Sequence, residues 1–435
     1  MKRLLIAAIL AMALVLFESP SRFADAAVVS SLSLLDLTIV AVAVLSLVFI
    51  KGKWEWKGPA VLALAIGGVT AYHGAIGGNW AQLGFGYVDL VAPIILGGIL
   101  GATLPRLLPF RVLLWGLVGA GSLMAAQAVF LATMPTSWSA RLGLQVFWSS
   151  GASRGYSPIG GPNVTAAFIA MVVPIALYLA TSDKRGIWSW LSLPSLFAGL
   201  LSTLTRGAWI SALVGVVAWA ACMRPKTNWK TNLVLLVASS LPGLLLISSP
   251  LMVKDAAAAA VAAKELSTSA PIPSSQPSEV VISPAMTRVG STSADEFSVS
   301  DRLHSWKAAL NLIKENPVAG TGPNTVMAVS YHDVKLSGRT LMHVHSTYLQ
   351  LGLMLGLPVA IGMIAFGVWV LVRPLVRGTQ VLAPETVALS ISLVVAAANW
   401  TTDYFLWYPR YGVIFWTLFF IVYADGSRRI FTETE

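Results

Sequence analysis

Twelve apolar runs of membrane-spanning length decide what this chain can fold into. They lie near residues 3–17, 28–50, 59–76, 87–104, 110–133, 163–181, 187–202, 207–223, 231–248, 346–372, 383–400 and 411–424. A helix needs roughly 20 apolar residues to cross the hydrocarbon core of a bilayer. Lipid offers no partner to backbone N–H and C=O groups, so such runs must satisfy them internally as helices. Composition agrees. Of 435 residues 56% are hydrophobic and only 11% charged, with a mean hydropathy of +0.75, whereas a soluble domain carries roughly 25% charged residues. A soluble globular enzyme, a disordered chain and a disulfide-stapled secreted module are excluded. The single cysteine, Cys222, lies in an apolar stretch, so no intrachain disulfide can form. The expected fold class is an all-α polytopic membrane protein with twelve transmembrane helices.

The start, with Lys2 and Arg3 before an apolar run and Ala24-Asp25-Ala26 after it, has the build of a signal peptide, and it is read as the first span. Basic residues fix the orientation. Lys2/Arg3, Lys51/Lys53/Lys57, Arg106/Arg111, Lys184/Arg185, Arg224/Lys226/Lys230, Arg373/Arg377 and Arg428/Arg429 fall on one side, and the opposite short loops hold Arg22, Arg141, Arg154, Arg206 and Arg410. By the positive-inside rule both termini are cytoplasmic. The net charge of +10 is therefore topological and implies no nucleic-acid partner. The long loop, 249–345, is then extracytoplasmic, which is periplasmic in a Gram-negative cell. His73, His304, His332, His343 and His345 all reach that same side.

This divides the chain into residues 1–248 with nine spans, the loop 249–345, and residues 346–435 with three spans and a short cytoplasmic tail. Within the loop, 255–300 is rich in Ala, Ser, Pro and Thr and reads as a flexible segment that could act as a lid. Leu303, Trp306, Leu310 and Ile313 are spaced for an amphipathic helix over 301–316, capped by Asp301 and ended by Asn316-Pro317. No internal repeat is evident.

Several side chains carry chemical potential. Arg206 sits in Ser-Thr-Leu-Thr-Arg-Gly-Ala-Trp at a span start. Free amides, the helix dipole and a guanidinium fork there would suit phosphate, whereas spacing alone favours a snorkelling interface anchor. Arg302 opens the amphipathic helix, where a cation is disfavoured by ~0.3–1 kcal/mol, so Asp301 or a bound anion should compensate. His343 and His345, two apart in Leu-Met-His-Val-His-Ser-Thr-Tyr-Leu, could share a face. A metal pair with His332 and Asp333 is discounted, because neither cysteines nor helical zinc-ligand spacing accompany it. A general base or a structural interface histidine remains. Asp36, Asp89, Asp301, Asp333 and Asp403 form no paired-carboxylate motif, which argues against Mg²⁺-dependent sugar transfer. Gly320-x-Gly322 follows no strand and is no nucleotide loop, and Trp400–Tyr411 reads as an aromatic interfacial belt.

In order along the chain, Arg154-Gly155 with Pro162-Asn163, Thr205-Arg206-Gly207-Ala208-Trp209, Arg302 with Trp306, Asn316-Pro317 with Gly320-x-Gly322, and His345 with Tyr348-Leu349 and Gly352/Gly356 resemble the O-antigen ligase and polymerase family of bacterial polysaccharide assembly. The likeness covers roughly 150–375. Ser346 stands where the family often has Asn after the histidine. The resemblance implies a metal-independent, GT-C-like glycosyltransferase of the inner membrane that needs no cofactor. Its donor would be a glycan on undecaprenyl diphosphate, and its acceptor the lipid A-core oligosaccharide for a ligase or another lipid-linked repeat for a polymerase. Arg206 and Arg302 would bind the diphosphate, His345 would act on the acceptor hydroxyl, and Arg154, Asn163, Tyr348 and His343 would bind substrate. Ligation to protein is a further alternative. A lipid-linked glycan transporter is the rival from another class, disfavoured because the charged residues crowd one face. The oligomeric state is not encoded legibly.

Overall fold

A computed structural model describes residues 57–78, 80–134, 147–149, 152–157, 159–182, 186–223, 229–248, 297–323 and 344–432. The first two apolar runs, most of the presumed lid, Asp36, His332, Asp333 and His343 lie outside the described residues. Each apolar run within them is a helix: α1 (Lys57–Ala75), α2 (Trp80–Leu107), α3 (Phe110–Thr133), α4 (Pro162–Ser182), α5 (Gly186–Ser202), α6 (Arg206–Met223), α7 (Trp229–Ser248), α9 (Thr347–Val381), α10 (Pro384–Asn399) and α11 (Pro409–Thr432). Between α7 and α9 comes α8 (Phe297–Glu315), and a 3-10 turn (Phe405–Trp407) precedes α11. Among the described residues the helical fold is interrupted by an antiparallel hairpin, β1 (Phe147–Ser149) with β2 (Ala152–Arg154), paired Phe147 to Arg154 and Ser149 to Ala152. Among the described residues five helices are long and apolar enough to cross a membrane. The chain is an all-α, multi-pass membrane protein.

The described residues fall into two compact units, one within Arg111–Ser291 and the other within Thr38–Phe110 and Thr292–Glu435. The first unit is built around α4. Every side chain from Val164 to Ala180 is buried, so this helix is apolar all round because protein encloses it. Its neighbours α5 and α6 turn apolar side chains outward, with Trp188, Leu191, Ile210, Leu213 and Val217 exposed, as lipid-facing helices do. In the second unit α11 packs on α2, and α9 packs on α1, α8 and α10.

Helix α8 differs from the sequence expectation. It begins at Phe297, so residues 297–300 are helical and Arg302 lies in the second turn. The helix dipole argument against a cation at its start therefore lapses. The stripe is also displaced: Leu303 and Leu310 are exposed, while Ser305, Ala309 and Ile313 are buried. Residues four apart stack on one face, and the small Ser305 and Ala309 let α8 approach Val344 and Leu353 closely.

The motif after α8 explains how that helix is held. Pro358 has no N–H, so the Met354 carbonyl lacks its usual donor four residues on. Gly356 adopts φ +77°, which turns the Leu357 N–H away from Leu353 and onto the Pro317 carbonyl at 2.8 Å. The two stranded carbonyls are met from the other side. Thr321 N–H donates to Leu353 O at 2.8 Å and Gly322 N–H to Met354 O at 3.0 Å. A broken helix and a tight turn thus exchange backbone bonds, as buried polar groups require. The clasp leaves no room for side chains: a Cβ on Gly356 would stand 2.0 Å from Val318 O, and one on Gly320 2.5 Å from Leu353 O. Replacing Gly356 with Ala should therefore destabilise the protein by at least ~2 kcal/mol, read as a lowered Tm in detergent. An unchanged Tm would mean that the clasp relaxes freely.

Candidate active site

Two polar clusters stand out, one in each unit. In the first, the turn Ser202–Thr205 joins α5 to α6. Leu204 adopts φ +52°, a left-handed conformation that is uncommon for a branched apolar residue. Arg154 holds the turn in that shape. Its Nε donates to the Thr203 carbonyl at 2.7 Å, and its Nη2 donates to Asn163 Oδ1 at 2.8 Å and Thr205 Oγ1 at 2.9 Å. Thr205 Oγ1 in turn donates to Asn163 Oδ1 at 3.3 Å. Asn163 is the second residue of α4, so the hairpin, α4 and the turn are tied at one point. Gly155 makes the approach possible: its N–H donates to Ser202 O at 2.9 Å, and a Cβ there would lie 2.4 Å from Ala128 O. Burial raises the neighbouring Tyr156 phenol, which keeps it neutral.

Arg206 follows as the first residue of α6 and is half-buried. The Thr205 carbonyl accepts from Ala208 and Trp209 at 3.1 and 3.3 Å, which makes Thr205 the N-cap. The Trp209 indole donates to Leu200 O at 3.1 Å and closes the turn. Arg206 thus sits where helix amides and the dipole favour an anion.

In the second unit, His345 precedes α9 and also takes a left-handed backbone, φ +53°. Its Nδ1 lies 3.3 Å from Asp403 Oδ1, with the histidine side chain 27% exposed and the aspartate 4%. Asp403 Oδ1 also accepts the Tyr404 N–H at 2.8 Å. The Asp403 carbonyl accepts both the N–H and the hydroxyl of Thr347, at 3.1 and 2.9 Å. The start of α9 and the end of α10 are therefore stitched around this pair. A carboxylate on Nδ1–H selects the tautomer whose Nε2 carries the lone pair. Burial pushes the Tyr404 and Tyr408 phenols up, with Asp89 adding to the first and Asp403 to the second, so both stay neutral beside the carboxylate.

Helix α8 reaches the same loop. Ser305 Oγ donates to Val344 O at 2.9 Å, and the Trp306 indole donates to His345 O at 3.3 Å. Gln350 Oε1 accepts the Val344 N–H at 3.0 Å. Arg302 lies one turn before Trp306, and its Nε is buried without a hydrogen-bond partner. A buried unpaired donor of this kind costs about 1–3 kcal/mol, more when charged.

Of the residues singled out from sequence, Arg154, Asn163 and Arg206 belong to the first unit, and Arg302, His345 and Tyr348 to the second. The Tyr348 hydroxyl donates to Ala397 O at 2.7 Å and its ring lies 6.2 Å from Trp400, which fastens α9 to α10. Ser346 caps α9, its hydroxyl accepting the Leu349 N–H at 3.5 Å. Asp403 is the residue that sequence reasoning set aside. It belongs to no paired-carboxylate motif, because its partner is a histidine 58 residues away. The available signal was an acid embedded in an apolar, aromatic segment. A cavity of about 230 Å³ lined by Phe110, Glu385, Thr386 and Asp425 lies toward the opposite ends of α10 and α11 and takes no part in this cluster. Among the described residues no group of three or more His, Cys, Asp or Glu side chains could hold a metal ion.

Comparison with known proteins bears on these clusters. No curated protein matches the chain. A family model described as O-antigen ligase matches residues 190–366, a stretch that contains Arg206, Arg302, His345, Tyr348 and the clasp, and excludes Arg154, Asn163 and Asp403. The match supports the likeness to the O-antigen ligase family read from the sequence, over residues 190–366.

Proposed function

We propose that this protein is a glycosyltransferase of the inner membrane that moves O-antigen glycan from undecaprenyl diphosphate to a hydroxyl of the lipid A-core oligosaccharide on the periplasmic face. The observation that carries the reading is the His345–Asp403 pair, a partly exposed imidazole backed by a buried carboxylate, whose histidine lies inside the family-matched stretch. In the proposed reaction the acceptor hydroxyl attacks the anomeric carbon, the glycosidic bond to the phosphate oxygen breaks, and the lipid diphosphate leaves. The hydroxyl proton passes to His345 Nε2. The donor bond supplies the driving energy, so no nucleotide is needed.

Arg206 and Arg302 are assigned to the diphosphate, where negative charge grows as the bond breaks. One such fixed donor is typically worth ~3 kcal/mol in the transition state. The orphan Arg302 Nε supports this role, since an anion supplies the acceptor it lacks. Arg154 and Asn163 serve the donor side by bracing the turn before Arg206, and His343 and Tyr348 are kept as neighbours of the acceptor side. The twelve-span count, the GT-C-like architecture, both termini in the cytoplasm and independence of metal belong to the same proposal.

Purified protein with a defined lipid-linked donor and two acceptors, lipid A-core and lipid-linked repeat, tests it. Transfer to lipid A-core without nucleotide, ion gradient or metal is expected. Transfer only to the lipid-linked repeat would make the protein a polymerase, and loss of activity on adding EDTA would contradict the metal-free chemistry. Ala at Arg206, Arg302 or His345 should each lower transfer by about 10²-fold or more while leaving insertion intact. Lys at either arginine should rescue poorly, because the fork geometry is lost. Asn163→Asp, which keeps an acceptor for Arg154, should retain more activity than Asn163→Ala; equal activity of the two would remove the brace from the account.

A further inference from the structure

The clasp that holds α8 on α9 has a third point of attachment, and it comes from outside the family-matched stretch. His73, in the last turn of α1, places Nε2 2.9 Å from the Ala319 carbonyl. A carbonyl can only accept, so Nε2 carries the proton and donates. The ring lies against the turn: a Cβ on Gly322 would stand 3.2 Å from His73 Cγ and 2.8 Å from Leu83 Cδ2. The His73 carbonyl is itself engaged, accepting the Gly78 N–H at 2.9 Å, and Tyr72 packs edge-on at 5.3 Å.

This contact closes a circuit. Pro317 O, Thr321 N and Gly322 N are laced to α9. Ala319 lies between them and is laced to α1. At the other end of α8, Ser305 and Trp306 are bonded to the backbone at Val344 and His345. Helix α8 is therefore a rod fixed at both ends, and Arg302 and the His345 loop take their register from it. Catalytic groups lose effectiveness when displaced by about 0.5–1 Å, so a slack attachment at Ala319 reaches the chemistry through α8.

We propose that His73 is a positioning residue for glycan transfer, acting through the Ala319 carbonyl to set the register of α8 and hence of Arg302 against the His345 loop. The inference rests on the transfer reading above for its catalytic half; the brace itself does not.

The test uses full-length protein in detergent, with His73→Phe, which keeps a ring without the donor, and His73→Gln, which keeps a donor of similar reach. Amide exchange is measured over 319–322 and 353–357, and kcat and KM are measured for transfer. His73→Phe should speed exchange in both segments and lower kcat, each by about tenfold, a single hydrogen bond's worth. Donor KM should change less than threefold, and His73→Gln should recover both readouts to within about threefold. A general loss of stability would lower the active fraction without this recovery. The inference is overturned by wild-type exchange in His73→Phe, by faster exchange with wild-type kcat, or by His73→Gln behaving like His73→Phe. If the unaltered protein transfers no glycan, the transfer reading and the catalytic half fall together, and the exchange measurement still decides the brace. Should His73→Phe not accumulate, His73→Asn, too short to reach Ala319, replaces it.

Discussion

A buried backbone carbonyl that has lost its helical partner must find another donor, and the second unit is arranged around that demand. Gly356 and Pro358 break α9 and strand the carbonyls of Leu353 and Met354. The turn after α8 supplies the missing donors and receives one in return. The break is thereby converted into an attachment site. Because α8 carries Arg302 and Trp306 and α9 begins beside His345, satisfying the backbone also registers two candidate reactive groups against each other. The glycines of the motif belong to this exchange: they provide left-handed backbone and bare space where the chains meet.

Strain is concentrated where chemistry is expected. Among the described residues the non-glycine positions with positive φ are Leu204 and His345, one in each turn leading to a candidate reactive group. Such conformations cost about 1–3 kcal/mol and persist only where surrounding contacts over-determine them. Arg154 does this for the first turn with bonds to Thr203, Thr205 and Asn163. Asp403, Thr347 and Gln350 do it for the second. In both cases a polar network sets a turn, and the turn presents a cation or an imidazole at the head of a helix.

The helices were legible because lipid leaves the backbone few options, so apolar runs and helices coincide wherever residues are described. The placing of Arg206 and His345 at helix starts was legible because each stands at the head of an apolar run beside Gly or Ser and Thr. The start of α8 was not, since Phe297–Ser300 carries no polar signal stronger than Asp301. Its buried stripe was misjudged because close packing selected Ser305 and Ala309 over the larger Leu303 and Leu310. Asp403 and His73 were unreadable as partners because their contacts span 58 and 246 residues, and only the folded chain brings such positions together. The Gly320 and Gly356 motifs were visible as motifs, but their meaning depends on a bond exchange that neither segment makes alone.

The buried carboxylate behind His345 is what would make that imidazole an oriented base. Replacing Asp403 with Asn preserves shape but offers the imidazole an amide that can hold the wrong tautomer. Pre-steady-state transfer from a lipid-diphosphate-linked glycan, with donor binding measured on the same preparation, reads this directly. Donor affinity within about threefold of the unaltered protein and a transfer rate lowered by about 10–100-fold or more are expected. A transfer rate equal to that of the unaltered protein would contradict the assignment of His345 as an oriented base.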